Sequence, residues 1–339
     1  MRNKVRIRLL ILILASLHAV VLFAGFFAPY DAKEQDRNLP YAPPTRLHFT
    51  GATGFHFRPF VYAAMFDSDG YHEDRTHEYP LHFLVKGSSY SLLGLFNSDL
   101  HLIGVDNPAR IMLAGADTFG RDEFSRLLVG GQMSLAAGLL ATLFTLATAA
   151  VIGTVSGFYG GWIDESLMGV SELFLSLPWL YFLLGVRAFL PLHVSPVGTF
   201  LLLIGVIGLI GWARPARLVR GVALSARTRN YVAAARGFGG SNLYLLRRHI
   251  LPETFGVLLT QAALLVPLYV AAEATLSFFG LGVSEPVPSW GNMLAALQHY
   301  SVLVSYGWLL APAAALVVTS VTYGMLADAL HSSVKSNSI

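Results

Sequence analysis

The side chains that could do chemistry here are few, and their spacing narrows what that chemistry can be. The chain has no cysteine, which removes thiolate metal sites, a cysteine nucleophile and any redox relay. It contains no Gly-x-x-x-x-Gly-Lys-[Ser/Thr] loop, so it does not cradle ATP in that way. Neither His-Glu-x-x-His nor Gly-x-Ser-x-Gly occurs. No catalytic residue and no metal site is assigned. His48, His56, His72, His77, His82 and His101 fall in one segment. His72 and His77 miss the i, i+4 spacing of a helical zinc pair, and residues 73–76 read as an exposed turn. Glu172, Arg187, Glu273 and Asp328 lie in or beside apolar runs, where an ionisable group at mid-depth would serve a coupling ion. By position, Glu172 falls in the first turn of its run, Arg187 near a far end, Glu273 just after a run and Asp328 just past the last. All four reach an interface by snorkelling, so structural or gating roles are expected of them.

Two stretches have a composition that is odd for their place. The first runs Asp117-Thr118-Phe119-Gly120-Arg121-Asp122-Glu123-Phe124-Ser125-Arg126-Leu127-Leu128. Asp117 suits a helix cap. Phe124, Leu127 and Leu128 share a face at i, i+3, i+4, with Arg121, Asp122 and Arg126 on others, which predicts an interfacial amphipathic helix. The second is Tyr231 to Pro252. Ala233-Ala234-Ala235 favours helix, and Gly239-Gly240 interrupts it. Ser241 caps a second helix whose Leu243, Leu246 and Ile250 share a face, and Leu251-Pro252 closes it. A helix–turn–helix is expected, with small residues that admit a partner's surface and arginines that meet acidic groups or lipid phosphates.

These stretches must be held by elements that the composition already limits. Of 339 residues, 54% are apolar and only 13% charged, and the mean hydropathy is +0.57. A soluble core could not hide that much apolar surface, so the chain is read as an integral membrane protein. A spanning helix needs about 20 apolar residues. Runs at 9–28, 133–158, 167–186, 192–213, 254–272 and 301–327 meet that need. The first follows Arg2, Lys4, Arg6 and Arg8 without a small-x-small cleavage site, and reads as an uncleaved anchor. Pro178, Pro267 and Pro312 are expected inside spans, and Gly153 with Gly157 makes a close-packing pair. Cytoplasmic termini put the eight arginines of 214–253 inside, as the positive-inside rule prefers. The net charge of +3 is mostly this asymmetry and gives no reason to expect nucleic acid.

The 231–252 stretch resembles the EAA loop of ABC importer permeases: Glu-Ala-Ala, three residues, Gly, nine residues, an apolar residue, any residue, Leu-Pro. Ala234, Ala235, Gly239, Leu251 and Pro252 match; Ala233 stands at the Glu position and His249 at the apolar one. Asp117, Gly120, Arg121, Asp122, Ser125 and Arg126 are similar to the signature before the second helix in the dipeptide/oligopeptide/nickel subfamily. Gly160-Gly161-Trp162-Ile163-Asp164, Leu276 to Val283, and Pro286 with Pro288 to Met293 also match that subfamily. The likeness covers about residues 1–30 and 115–330.

The resemblance implies an all-α integral membrane fold of six transmembrane helices. It has an N-terminal anchor (1–30), an extracytoplasmic segment (31–132), a five-helix core (133–328) with an ATPase-docking loop (214–253), and a cytoplasmic tail (329–339). It implies a bacterial cytoplasmic membrane and import of di- or oligopeptides. It also implies a second permease, cytoplasmic ATPase subunits and an extracytoplasmic solute-binding protein as partners. This chain would hold no cofactor; ATP and Mg would sit on the partner ATPase. The alternative is an ATP-independent secondary transporter or channel, which would show internal repeats and charged mid-depth residues; neither is evident.

Overall fold

The computed structural model of the protein describes residues 2–51, 54–92, 96–178, 185 and 195–337. Where the apolar runs are longest the backbone is helical, because only an internally bonded helix leaves no polar group unpaired in lipid. Among the described residues, Asn3–Leu22, Glu123–Tyr159, Phe255–Phe278 and Gly307–Ser332 are long and apolar enough to cross a membrane. Val197–Gly211 and Ala213–Arg227 form a further pair bent by 45°. The third expected span begins in the helix Gly161–Ser176. Residues 179–184 and 186 of that span, and Arg187, lie outside the described residues.

Several boundaries differ from the sequence reading. Glu172 is in the last turns of Gly161–Ser176, not the first turn of a span. Glu273 lies inside the helix Phe255–Phe278 and is fully buried. Asp328 lies inside Ala311–Asn337, which continues well past the apolar run. Of the three prolines, Pro178 follows its helix and Pro312 occupies a first turn, where no intrahelical N–H is missed. Pro267 is the one that interrupts a helix.

The described residues fall into two compact units, one within 1–14, 136–273 and 319–339, the other within 15–135 and 274–318. In the first, small residues let helices approach closely. A Cβ at Gly153 would strike the carbonyl of Ala216 and the side chain of Val219, and one at Gly157 would strike Ala223. The pair therefore packs within this chain, against Ala213–Arg227.

The second unit overturns the all-α expectation. The described part of 48–104 holds five antiparallel strands: β1 (His48–Gly51), β2 (Gly54–Asp67), β3 (Gly70–Pro80), β4 (His82–Leu92) and β5 (Phe96–Gly104). They form a three-stranded sheet, β1-β2-β3, and a two-stranded one, β4-β5. Aromatic and β-branched residues recur along β2 and β4, as a pleated surface favours. Asp67-Ser68-Asp69-Gly70 makes a tight turn, with the Asp67 carboxylate accepting from Asp69 N at 2.9 Å. His72 and His77 lie on β3, not in a loop, and the register shifts between Val61 and Ala63 opposite Asp74 to Tyr79.

His101 ties β5 to the end of the first helical segment. Its Nδ1 lies 2.6 Å from the Ala28 carbonyl and its Nε2 2.8 Å from that of Ser88, and the ring is 2% exposed. A His101→Leu variant removes the ring's polar contacts with the buried Ala28 carbonyl and the part-buried Ser88 carbonyl. We expect a loss of about 2 kcal/mol, seen as a lower thermal midpoint of the purified protein; an unchanged midpoint would show that the ring merely fills space.

Candidate functional site

Asp117 to Arg126 is not a separate amphipathic helix. Residues 117–121 form a turn, and the helix that follows starts at Glu123 and runs unbroken to Tyr159. The turn closes on the Asp117 carboxylate, which accepts from Phe119 N at 2.8 Å and Arg121 N at 3.0 Å. Gly120 has φ +68, and a Cβ there would strike the Asp36 carbonyl. The helix cap is Asp122, whose Oδ2 accepts from Ser125 N at 2.8 Å and Ser125 Oγ at 2.5 Å. Burial pushes the Asp122 carboxyl up to about 6, against the opposing pull of its hydrogen bonds from Ser125 and Phe124.

Arg121, Asp122 and Arg126, expected on faces away from the apolar one, are all buried, and so is Ser125. Arg121 donates from Nε to Asp117 at 2.6 Å and from its terminal nitrogens to Glu285 at 2.7 and 3.3 Å. Arg126 reaches the same Glu285 at 2.8 Å. Buried guanidiniums need such partners, because an unpaired one would be strongly destabilising. Sequence reasoning missed Glu285. It is the one acidic residue between Ala274 and Ser305, which was a usable signal.

The loop carrying Glu285 is anchored by its own motif. Ser289 and Asn292 form a capping box on Trp290–Leu294. Asn292 also donates to the carbonyls of Val283 and Val287 at 3.1 and 2.8 Å. Trp290 is buried and donates from Nε1 to the Leu127 carbonyl at 2.9 Å. Burial raises the Glu285 carboxyl, but the hydrogen bond from Arg121 and the charges of Arg126 and Arg121 outweigh it and hold it below its usual 4.5.

The second stretch is a capped hairpin. The helix Asn230–Gly237 ends with Gly239 N donating to the Arg236 carbonyl and Gly240 N to the Ala235 carbonyl, both at 3.0 Å. That pattern needs a left-handed residue, and Gly239 supplies it with φ +86. Ser241 accepts from Tyr244 N and starts the helix Asn242–Leu245. A π-turn, Leu246–Ile250, follows before Leu251–Glu253.

The wider turn changes which side chains face inward. Val232, Leu245 and Ile250 pack with Phe158, Ala223 and Ala226, while Leu243, expected beside Ile250, is 59% exposed. The outer surface carries Phe238, 94% exposed, with Ala233, Ala234, Tyr231, Tyr244 and Pro252. Ala235 and Leu251 are half-buried. His249 sits between the rings of Tyr231 and Tyr244, with centroids 5.8 and 5.5 Å away, which explains an imidazole at an apolar position.

The arginines divide into two sets. Arg217 binds Ser171 Oγ at 2.9 Å and Glu172 at 2.7 Å. Arg220 donates twice to Asp164, which also accepts from Ser156. The Arg220 hydrogen bond holds the Asp164 carboxyl below its usual range. Arg227 caps the carbonyls of Gly157 and Phe158. Arg247 and Arg248 stay exposed beside Leu243 and Tyr244. No group of three or more His, Cys, Asp or Glu that could hold a metal is present among the described residues.

With this geometry in place, comparison with known proteins defines the class. The profile of the binding-protein-dependent transport system inner membrane component family matches residues 149–336, and the chain belongs to that family. The oligopeptide transport system permease protein OppC of Bacillus subtilis (strain 168) is 33% identical over 71% of this chain and 75% of its own. The protein of the same name from Escherichia coli (strain K12) is 36% identical over 64% and 70%. The dipeptide transport system permease protein DppC of Bacillus subtilis (strain 168) is 35% identical over 64% and 66%. The chain is thus a multi-pass inner-membrane permease subunit of an ATP-driven importer.

Two outcomes follow from the site. At Gly239 a side chain is strained by backbone conformation, not by crowding, since a Cβ would meet nothing within 4 Å. Gly239→Val should cost about 1–2 kcal/mol locally, read as faster amide exchange at Gly239 and Gly240. Glu285 has a depressed folded pKa, so its contribution is full above 4.5 and is lost as pH falls through the lower folded value. Asp122 slopes the other way, but it is common to wild type and Glu285→Gln. The gap in thermal midpoint between those two should therefore be widest near neutral pH and close below 4.5; a gap that is constant with pH would exclude the ion pairs as its cause.

Proposed function

We propose that this chain is half of a translocation pathway for di- or oligopeptides and is driven through residues 231–252 by a separate ATPase subunit. The observation that carries the reading is the capped hairpin with its apolar knob, Phe238, left outside. An aromatic ring 94% exposed at a rigid turn has nothing to cover it among the described residues and suits a groove on a partner, as buried aromatic anchors do at interfaces. Ala233, Ala234, Ala235, Gly239, Leu251 and Pro252 would form the docking surface. Arg247 and Arg248 would meet acidic groups around its rim.

In this reading ATP and Mg sit on the ATPase, and this chain breaks no bond. ATP binding closes the ATPase domains, the seated hairpin moves as a lever, and the helices exchange an inward-open for an outward-open arrangement. What the chain supplies is a difference in contact free energy between those states. A second permease completes the pathway, and a solute-binding protein delivers cargo. The first helix acts as a peripheral anchor, both termini are cytoplasmic, and residues 31–132 form the extracytoplasmic segment. A peptide cargo is supported by the relatives named above, OppC and DppC. Arg121, Arg126 and Glu285 then act as a lock that fixes the start of the long helix.

The test is Phe238→Ala in the reconstituted complex. Truncating an interface anchor costs about 2 kcal/mol or more, so peptide-stimulated ATP hydrolysis should fall at least about tenfold while the chain still inserts and unfolds at the wild-type temperature. Full coupled hydrolysis by the variant would remove the hairpin from the coupling path.

A further inference from the structure

The charged lock forms one wall of a cleft of about 530 Å³. Asp117 and Glu285 face the guanidiniums of Arg121 and Arg126 there, at distances of 2.6 to 3.5 Å. A further carboxyl lines the same cleft, that of Glu123. It is 1% exposed, and its Oε1 has no hydrogen-bond partner among the described residues. The lining carboxyls, Asp117, Glu123 and Glu285, thus outnumber the guanidiniums, Arg121 and Arg126. One turn along the helix from Glu123, Arg126 Nε makes no hydrogen bond among the described residues and reaches only Asp117, at 3.5 Å. An acceptor and a donor, both buried and both with capacity left, thus line the same cleft.

The rest of the lining decides what kind of group fits. Phe278, Val283, Met293, Ala296 and Leu309 make much of the wall apolar. A bare metal ion needs several oxygen ligands at short range, and the described residues gather no such set. An organic cation needs one desolvated carboxylate, a neighbouring donor for its own acceptor, and room for its carbon atoms.

We propose that this cleft is a subsite for the α-ammonium end of a peptide, with Glu123 accepting from the ammonium, Arg126 Nε donating to the adjacent carbonyl oxygen, and the first side chain resting on the apolar wall. Burial disfavours the ionised carboxyl of Glu123, and an arriving ammonium favours it; the pairing formed is shielded from water, where such bonds are strongest. Acetylating the amine removes both the charge and two of its donors. This assignment rests on the peptide reading above and adds which end of the peptide this chain senses.

The test uses the complete complex in proteoliposomes, with ATP hydrolysis measured against tri-alanine and N-acetyl-tri-alanine, each delivered by the same binding protein. Because the binding protein is unchanged, the ratio of variant to wild type reports this chain alone. Glu123→Gln should raise the half-saturating concentration of tri-alanine about tenfold and leave that of the acetylated peptide unchanged. Glu123→Asp should restore much of the difference. An equal effect on both peptides, or on neither, overturns the subsite. Should Glu123→Gln fail to assemble, Ala296→Phe decides: filling the cleft must weaken the response to tri-alanine, and an unaltered response overturns the proposal. A wild-type complex that ignores every peptide overturns the peptide reading and the subsite with it, whereas a peptide-responsive wild type with an indifferent variant overturns the subsite alone.

Discussion

A hydrocarbon layer tolerates neither unpaired backbone groups nor unpaired charge, and the charged side chains of this protein are placed under that constraint. The apolar helices satisfy it for the backbone. Several arginines satisfy it by pairing with carboxylates or backbone carbonyls. Arg227 covers carbonyls at the end of the long helix, and Arg220 and Arg217 brace Asp164 and Glu172. In the other unit, Arg121 and Arg126 converge on Glu285 where the same helix begins. The contribution of such pairs to stability is modest, because desolvation offsets much of the attraction. Their effect is on geometry: each fixes the angle and register of a helix end.

The hairpin at 230–253 applies the opposite logic. Its inner residues pack on Phe158 and its cap is closed by backbone bonds. The described residues leave its outer face without a covering layer. The lever proposed for it would need a packed inner face, since a soft element would absorb the displacement. The π-turn at Leu246–Ile250 matters for this reason. It rotates the second arm, burying Leu245 and releasing Leu243 to the outer surface.

Much of this was legible without coordinates. The hairpin could be read because Gly239-Gly240 and Ser241 act locally: a left-handed cap and a side-chain cap are decided by neighbours in sequence. The long helices could be read because apolar length alone dictates them. The strands at 48–104 were not read, because runs such as Phe55-His56-Phe57-Arg58 alternate without forming a long apolar stretch, and their pairing is decided across the sheet. The burial of Arg121 and Arg126 was also invisible. Helical periodicity placed them away from the apolar face; burial is made tolerable by Asp117 nearby and by Glu285, far along the chain.

By itself, then, the order of residues determined a membrane protein with a capped hairpin, since both follow from composition and from interactions spanning a few residues. Tertiary structure alone decided which charges meet and which carboxyl is left over. Asp117, Glu123, Arg126 and Glu285 come together because a loop folds back over a helix start. Pairing over such a separation depends on packing, and no local pattern encodes it.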